Sequence, residues 1–391
     1  MHNRFIKTVL VCAMATVALT GCQKTFKSED SKPAKLVNIA APVSVLSPVL
    51  QVSLDQSRNL AKGERISKKN VVDLQVAVTK SGIIAASRGG LVSAFVGNQA
   101  VWTVNLKQVI TSGVAIDEHE SIVVVGTRSG EVVALNANTG EKLWETTLTT
   151  SSVAPALIHA DRVLLSANNG VLYGLDLQTG SVVWELGTQR TGISVRGIAE
   201  PLALDAKTVL FGTADGRIHA LDSGTGMPLW NRRVGMATGG SSVEHLRDVD
   251  GTPLVMGQHL YVTSFSGQLA GFDMATGRTM FVADIKSTKS PAILGDLLIA
   301  TGVRGDVRAF NRLTGETVWL SESLKNRQLT NPVTVGDYVA VGDYDGVIHL
   351  FDRDGEIVSR VQTKGQLTSL QVKDNRLYTQ SAAGVISVWQ F

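Results

Sequence analysis

Gly130-Glu131-Val132-Val133-Ala134-Leu135-Asn136 returns as Gly170-Val171-Leu172-Tyr173-Gly174-Leu175-Asp176 and again as Gly216-Arg217-Ile218-His219-Ala220-Leu221-Asp222. Further copies run from Gly267 to Asp273, Gly305 to Asn311 and Gly346 to Asp352, and weaker ones start at Gly90 and Gly384. Successive glycines are 40, 40, 46, 51, 38, 41 and 38 residues apart. Eight such units carry the period of a propeller or a solenoid.

The turn residues choose between the two. Asn169-Gly170, Asp215-Gly216 and Asp345-Gly346 are tight-hairpin dipeptides, because both central residues must take positive φ. A second turn follows each repeated strand: Asn136 to Thr139-Gly140, Asp176 to Thr179-Gly180, Asp222 to Thr225-Gly226, Asp273 to Thr276-Gly277, Asn311 to Thr314-Gly315. There the Asx side chain bonds the turn backbone and glycine supplies the left-handed position. Hairpins imply antiparallel blades, whereas solenoids coil in parallel. Trp144, Trp184, Trp230, Phe281 and Trp319 each stand four residues past that glycine, with Trp102 one residue later in its unit. A large aromatic in every outer strand suits packing between neighbouring sheets, each indole removing ~150–250 Å² from water.

Two more strand-like runs, such as Ala154 to His159 and Arg162 to Ala167, lie between one aromatic and the next glycine. Each unit is therefore a four-stranded blade. The chain stops at Phe391, directly after the third strand of its last unit, while Pro48 to Leu54 is a strand without a unit at the other end. The expectation is an all-β, eight-bladed β-propeller over residues 48–391, its ring closed by the N-terminal strand completing the last blade. Closure removes free sheet edges.

Composition agrees with a globular, turn-rich chain: 44% hydrophobic, 18% charged, 38 Gly against 9 Pro in 391 residues. Residues 1–21 read as an export signal, with Arg4 and Lys7 before the apolar run Thr8 to Leu19. The net charge of +3 falls to +1 without Arg4 and Lys7, too little for a nucleic-acid binder. Leu19-Thr20-Gly21-Cys22 resembles the bacterial lipobox, in which the cysteine is acylated. Cys12 leaves with the signal, so Cys22 would be the one thiol of the processed protein and no disulfide could form. Residues 22–47 are expected to be a lipidated, flexible tether. By the resemblance to bacterial lipoproteins, Gln23 at the position after the cysteine implies the outer membrane.

The two wide spacings, 46 and 51, mark insertions of about 6 and 11 residues at Gly187 to Ile198 and Gly235 to Gly251. Both fall between an outer strand and the next inner strand, so both should lie on one face, side by side, where a rigid scaffold carries its function. One offers Arg190 and Arg196 beside Ile193 and Val195; the other offers Glu244, Asp248 and Asp250. An arginine beside apolar residues is hot-spot chemistry, and carboxylates set register. The same charges could instead pair with one another, Arg196 with Asp248 or Asp250, and fix the loops.

The repeat Gly-x-Val-x-Ala-Leu-Asp-x-x-Thr-Gly-x-x-x-Trp resembles that of quinoprotein (PQQ-dehydrogenase-like) propellers. With the lipobox, the length and the eight units, it resembles the BamB family of outer-membrane-protein assembly lipoproteins. Ile193-Ser194-Val195-Arg196-Gly197 and Leu246-Arg247-Asp248-Val249-Asp250 are similar to two loops of that family, with Ile193 and Val195 for leucines and Arg247 for a serine. The resemblance implies a non-enzymatic scaffold at the periplasmic face, binding the POTRA domains of BamA through Ile193, Val195, Arg196, Asp248 and Asp250. It also implies contact with unfolded outer-membrane protein precursors.

The alternative is a periplasmic quinoprotein-like dehydrogenase or small-ligand sensor using the central channel. Against it, the chain has no vicinal cysteine pair of the kind that stacks a quinone in those enzymes. Asp248-Val249-Asp250-Gly251 begins like a calcium loop but lacks its later ligands and terminal Glu. The seven histidines show no metal-ligand spacing, and no serine sits in a nucleophile elbow. No cofactor, metal or catalytic residue is expected.

Overall fold

A computed structural model describes residues 32–55, 72–152, 154–188, 199–234 and 248–391. Within residues 33–391, the described strands form eight four-stranded antiparallel sheets, each ordered as a meander. Seven are sequence-contiguous: blade 1 over 77–105, then 115–147, 157–187, 202–233, 254–284, 292–321 and 333–362 for blades 2 to 7. Blade 8 takes three strands from 367–390 and its fourth from Ser47–Ser53, which pairs antiparallel with Val385–Gln390. The ring closes as the chain ends require. A register shift lies between Pro48 and Leu50, so the proline sits at a bulge on an edge strand, where its missing N–H costs least.

Blades adhere through one repeated contact. Asp176 Oδ1 accepts the amides of Gln178 (3.1 Å) and Thr179 (2.8 Å), tightening the turn, and Gly180 completes it at φ +71°. That glycine faces the tryptophan of the preceding blade: a Cβ there would lie 2.4 Å from the Trp144 ring. Gly226 meets Trp184 at 2.5 Å and Gly315 meets Phe281 at 2.3 Å in the same way. The indole N–H also has a fixed partner in the next blade's turn. Trp102 donates to Ala137 O, Trp144 to Leu177 O, Trp184 to Ser223 O and Trp319 to Arg353 O, at 2.8–3.0 Å. In these four units the aromatic is both core and clasp. Trp230 differs. Arg232 lies 5.5 Å over its ring and donates instead to Gly277 O (3.2 Å).

Strand direction fixes two faces. Turns between first and second and between third and fourth strands share one face, which the Asx turns occupy. Turns between second and third strands share the other with the blade-to-blade connections, and hence with both insertions.

Residues 34–46, expected as part of the tether, are held as a strap on blade 7. Ala34 N donates to Lys325 O (2.9 Å) and Val43 N to Val358 O (2.9 Å), and Leu46 is buried in the cluster of Val335, Leu350 and Trp389. Arg327 Nη1 donates to Ala34 O (3.0 Å), and Arg360 Nη1 donates to Val37 O. Both arginines belong to a buried network. Asp343 Oδ2 accepts from Arg327 Nε (2.7 Å) and His349 Nε2 (3.0 Å), and its Oδ1 from the amides of Asp345 and Val347 (2.9 Å each). His349 Nδ1 accepts from Arg360 Nε (3.1 Å), so the imidazole is neutral with its proton on Nε2.

Candidate functional site

The insertions leave the disc at ordered stems. Thr188 N donates to Gly170 O (3.0 Å), Val234 N to Gly216 O (2.8 Å), and Val249 N to Thr213 O (3.2 Å). The returning stems converge on Gly212. A Cβ there would lie 2.9 Å from Ala199 Cβ and 2.7 Å from Val249 Cγ1, so no larger residue fits between them. The two insertions are therefore neighbours at their bases, between blades 3, 4 and 5.

Ile193, Val195 and Arg196 lie outside the described residues, as does Cys22. Asp248 and Asp250 are described, and both are buried, at 0% and 7% exposure. Asp248 O accepts from Phe265 N (3.0 Å), tying the loop base to blade 5. Burial pushes the Asp250 carboxyl well above the ordinary range, the Asp248 charge adds to the effect, and Lys289 eases it. Asp250 Oδ2 makes no hydrogen bond. Sequence spacing located this pair but could not show that it faces inward.

Sequence reasoning missed the stretch 72–76, which crosses the mouth of the channel on the insertion face. It reaches the start of every second blade. Val114 N donates to Gln75 O (3.1 Å) before blade 2 and Gln75 Nε2 to Glu200 Oε2 (2.9 Å) before blade 4. Lys289 Nζ meets Asp73 Oδ2 (2.6 Å) before blade 6, and Thr368 Oγ1 donates to Leu74 O (3.5 Å) in blade 8. Leu74 and Val76 are buried at 3% each. Beside this crossing a cavity of about 230 Å³ opens between blades 6, 7 and 8, lined by Asp73, Lys289, Gln328, Thr330, Gln366 and Thr368. The only hint of the crossing was its apolar-polar alternation.

Burial pushes Glu200 from 4.5 up to about 7, against the hydrogen bond from Gln75. An acid whose folded value is raised favours folding below its unfolded value and loses that advantage as pH climbs to the folded one. Stability should therefore decline between about pH 4.5 and 7, with Asp250 acting in the same sense. Glu200→Gln is expected to melt with wild type near pH 4.5 and to exceed it above pH 7 by about 1–2 kcal/mol, the full shift being discounted for partial exposure. Scanning calorimetry across that range checks it. A pH-independent difference would mean that Glu200 stays ionised throughout.

A family model described as "Outer membrane protein assembly factor BamB" matches residues 88–302 and 303–391. The chain belongs to the BamB family. The crystal structure of BamB from Moraxella catarrhalis superposes with a TM-score of 0.83 at 53% identity, over 89% of this chain and all of that one. The BamB of Yersinia pestis is 27% identical over 401 residues, covering 97% of this chain and 98% of its own. A europium-containing methanol dehydrogenase shares the fold, with a TM-score of 0.64 at 13% identity. BamB relatives are outer membrane protein assembly factors; the dehydrogenase likeness is one of architecture alone.

Proposed function

We propose that this chain is a non-enzymatic lipoprotein scaffold of the outer-membrane β-barrel assembly machinery. Acylated Cys22 anchors it at the periplasmic face, and the paired insertions bind the POTRA region of BamA. Ile193, Val195 and Arg196 form the contact, with Asp248 and Asp250 seating the second loop from beneath. The observation that carries the reading is the meeting of both insertion stems at Gly212, which gives the two loops one common base. Loops that share a base bind with less ordering cost than separate ones.

Contact with unfolded barrel precursors fits the rim. Outer strands end their sheets with unpaired edges and expose Val183, Leu229 and Val318 at 45–54%. A quinone-binding enzyme fits less well, because Asp73–Val76 runs across the axis where a flat cofactor would enter.

Arg196→Glu and Ile193→Asp should each reduce BamA recovered from detergent-solubilised membranes by about tenfold or more, while thermal unfolding stays unchanged. Undiminished recovery in both variants would overturn the contact. Labelled palmitate retained by wild type and lost in Cys22→Ala tests the anchor separately.

A further inference from the structure

The insertion face carries a second charged feature, away from the insertions. Lys286, Arg304, Lys325 and Lys364 lie on its connections and turns from blade 5 to blade 8, and the strap brings Lys35 to the same place. Backbone bonds join them into one arc. Val303 N donates to Lys286 O (2.9 Å), Asn326 N to Arg304 O (2.6 Å), and Ala34 N to Lys325 O (2.9 Å). Tyr344 N to Arg327 O (3.1 Å) and Leu367 N to Asp343 O (3.1 Å) carry it on to blade 8. Lys35, Lys286, Arg304 and Lys364 are exposed. Acids on the same connections are mostly engaged: Asp345 with Arg327 (2.9 Å), Asp73 with Lys289 (2.6 Å) and Asp306 with Arg308 (2.8 Å), leaving Glu322 and the exposed Asp284 interspersed. The opposite face carries Asp176, Asp222, Asp273 and Asp352 in four of its repeat turns, neutral Asn136 and Asn311 standing at that position in two others.

We propose that this arc is a docking surface for anionic phospholipid head groups and orients the disc on the bilayer. The occupant follows from the strap. Arg327 and Arg360 grip its carbonyls at Ala34 and Val37, so the chain leading back towards Cys22 leaves the propeller in the middle of the arc. If that cysteine is acylated, as proposed above, the membrane it enters is the surface brought to these cations. A cluster of several Lys and Arg beside an anchor is a recognised second signal for anionic lipid, and it is weakened by salt. The aspartates of the opposite face would be repelled, which gives the disc one way up.

The test uses the unacylated chain from Gln23 to Phe391, so that it reads the arc without the anchor. It should co-sediment with vesicles of phosphatidylethanolamine containing phosphatidylglycerol but not with phosphatidylethanolamine alone, and added salt should release it. The triple variant Lys286→Glu, Arg304→Glu, Lys364→Glu should lose about tenfold or more of that binding. Reversal of Lys207, Arg278 and Arg376 on the opposite face should leave it unchanged, and matching melting curves establish that both variants are folded. Binding indifferent to phosphatidylglycerol, or equal in the triple variant and wild type, would overturn the proposal. So would a triple variant that keeps its vesicle binding but no longer recovers BamA, which would make the arc a protein interface. Failure here leaves the palmitate result at Cys22 untouched.

Discussion

A chain beginning at Asp55 should no longer unfold as a single unit and should aggregate, whereas one beginning at Ser47, which lacks the strap and the buried Leu46, should be less stable than wild type but stay monomeric and still unfold as one unit. The difference is the strand Ser47–Ser53 with Leu54. Val52 and Leu54, each 8% exposed, pack with Val388, Ile386 and Phe95 across the seam between blades 8 and 1. Two such side chains are worth about 1.5–3 kcal/mol each, before the lost ladder to Val385–Gln390 is counted. A loss of about 5 kcal/mol is a large fraction of the 5–15 kcal/mol that holds a typical domain together. Removal also bares the Val385–Gln390 edge as a template for other chains. Sedimentation velocity and calorimetry read both effects. A monomeric chain from Asp55 with the wild-type transition would show that the ring holds without its closing strand.

Asp343→Ala should cost about 3–5 kcal/mol in urea unfolding, because it strands Arg327, 5% exposed, and the fully buried His349 without their shared acceptor. Burial alone would raise the Asp343 carboxyl, but hydrogen bonds from His349, Val347 and Arg327 outweigh it and hold the group below its ordinary value. A lowered carboxylate stabilises the fold above its unfolded value and loses that contribution as pH falls through the folded one. The gap between variant and wild type should therefore narrow below about pH 4. The substitution should also speed amide exchange at Ala34, since Arg327 loses the partner that aims it at the strap. Arg360→Ala separates the two effects: it frees Val37 and leaves His349 Nδ1 without its donor but keeps the Asp343–Arg327 pair, so exchange along the strap should rise with a smaller loss in unfolding, about 1–3 kcal/mol. Loss of neither stability nor protection in Asp343→Ala would mean that Arg327 finds another acceptor.

Both effects involve residues of quite different legibility. Ser47–Ser53 could be assigned to blade 8 before any coordinates, because counting strands per unit left one missing at Phe391 and one spare at the start. The tryptophans were equally legible as inter-blade packing, although their fixed hydrogen bonds to the next turn were not. Asp343 and His349 looked like ordinary strand and turn positions. His219 holds the same repeat position as His349, but its Nε2 stands 3.8 Å from Asp215 Oδ1 and makes no hydrogen bond. What distinguishes His349 is Arg327 and Arg360, from a connection and a neighbouring strand.

The period, the turn chemistry and the two widened spacings are local properties. Each is written within one unit of roughly 40 residues, and repetition makes it readable. They determined the blade count, the closure and the pairing of the insertions on one face. The crossing of the channel mouth by Asp73–Val76, the strap on blade 7 and the inward turn of Asp248 and Asp250 were decided by the tertiary structure. Each rests on contacts between residues far apart in the chain, such as Gln75 with Glu200 or Arg327 with Ala34. A single contact made once leaves no period in the sequence, and only the closed ring brings its two halves together.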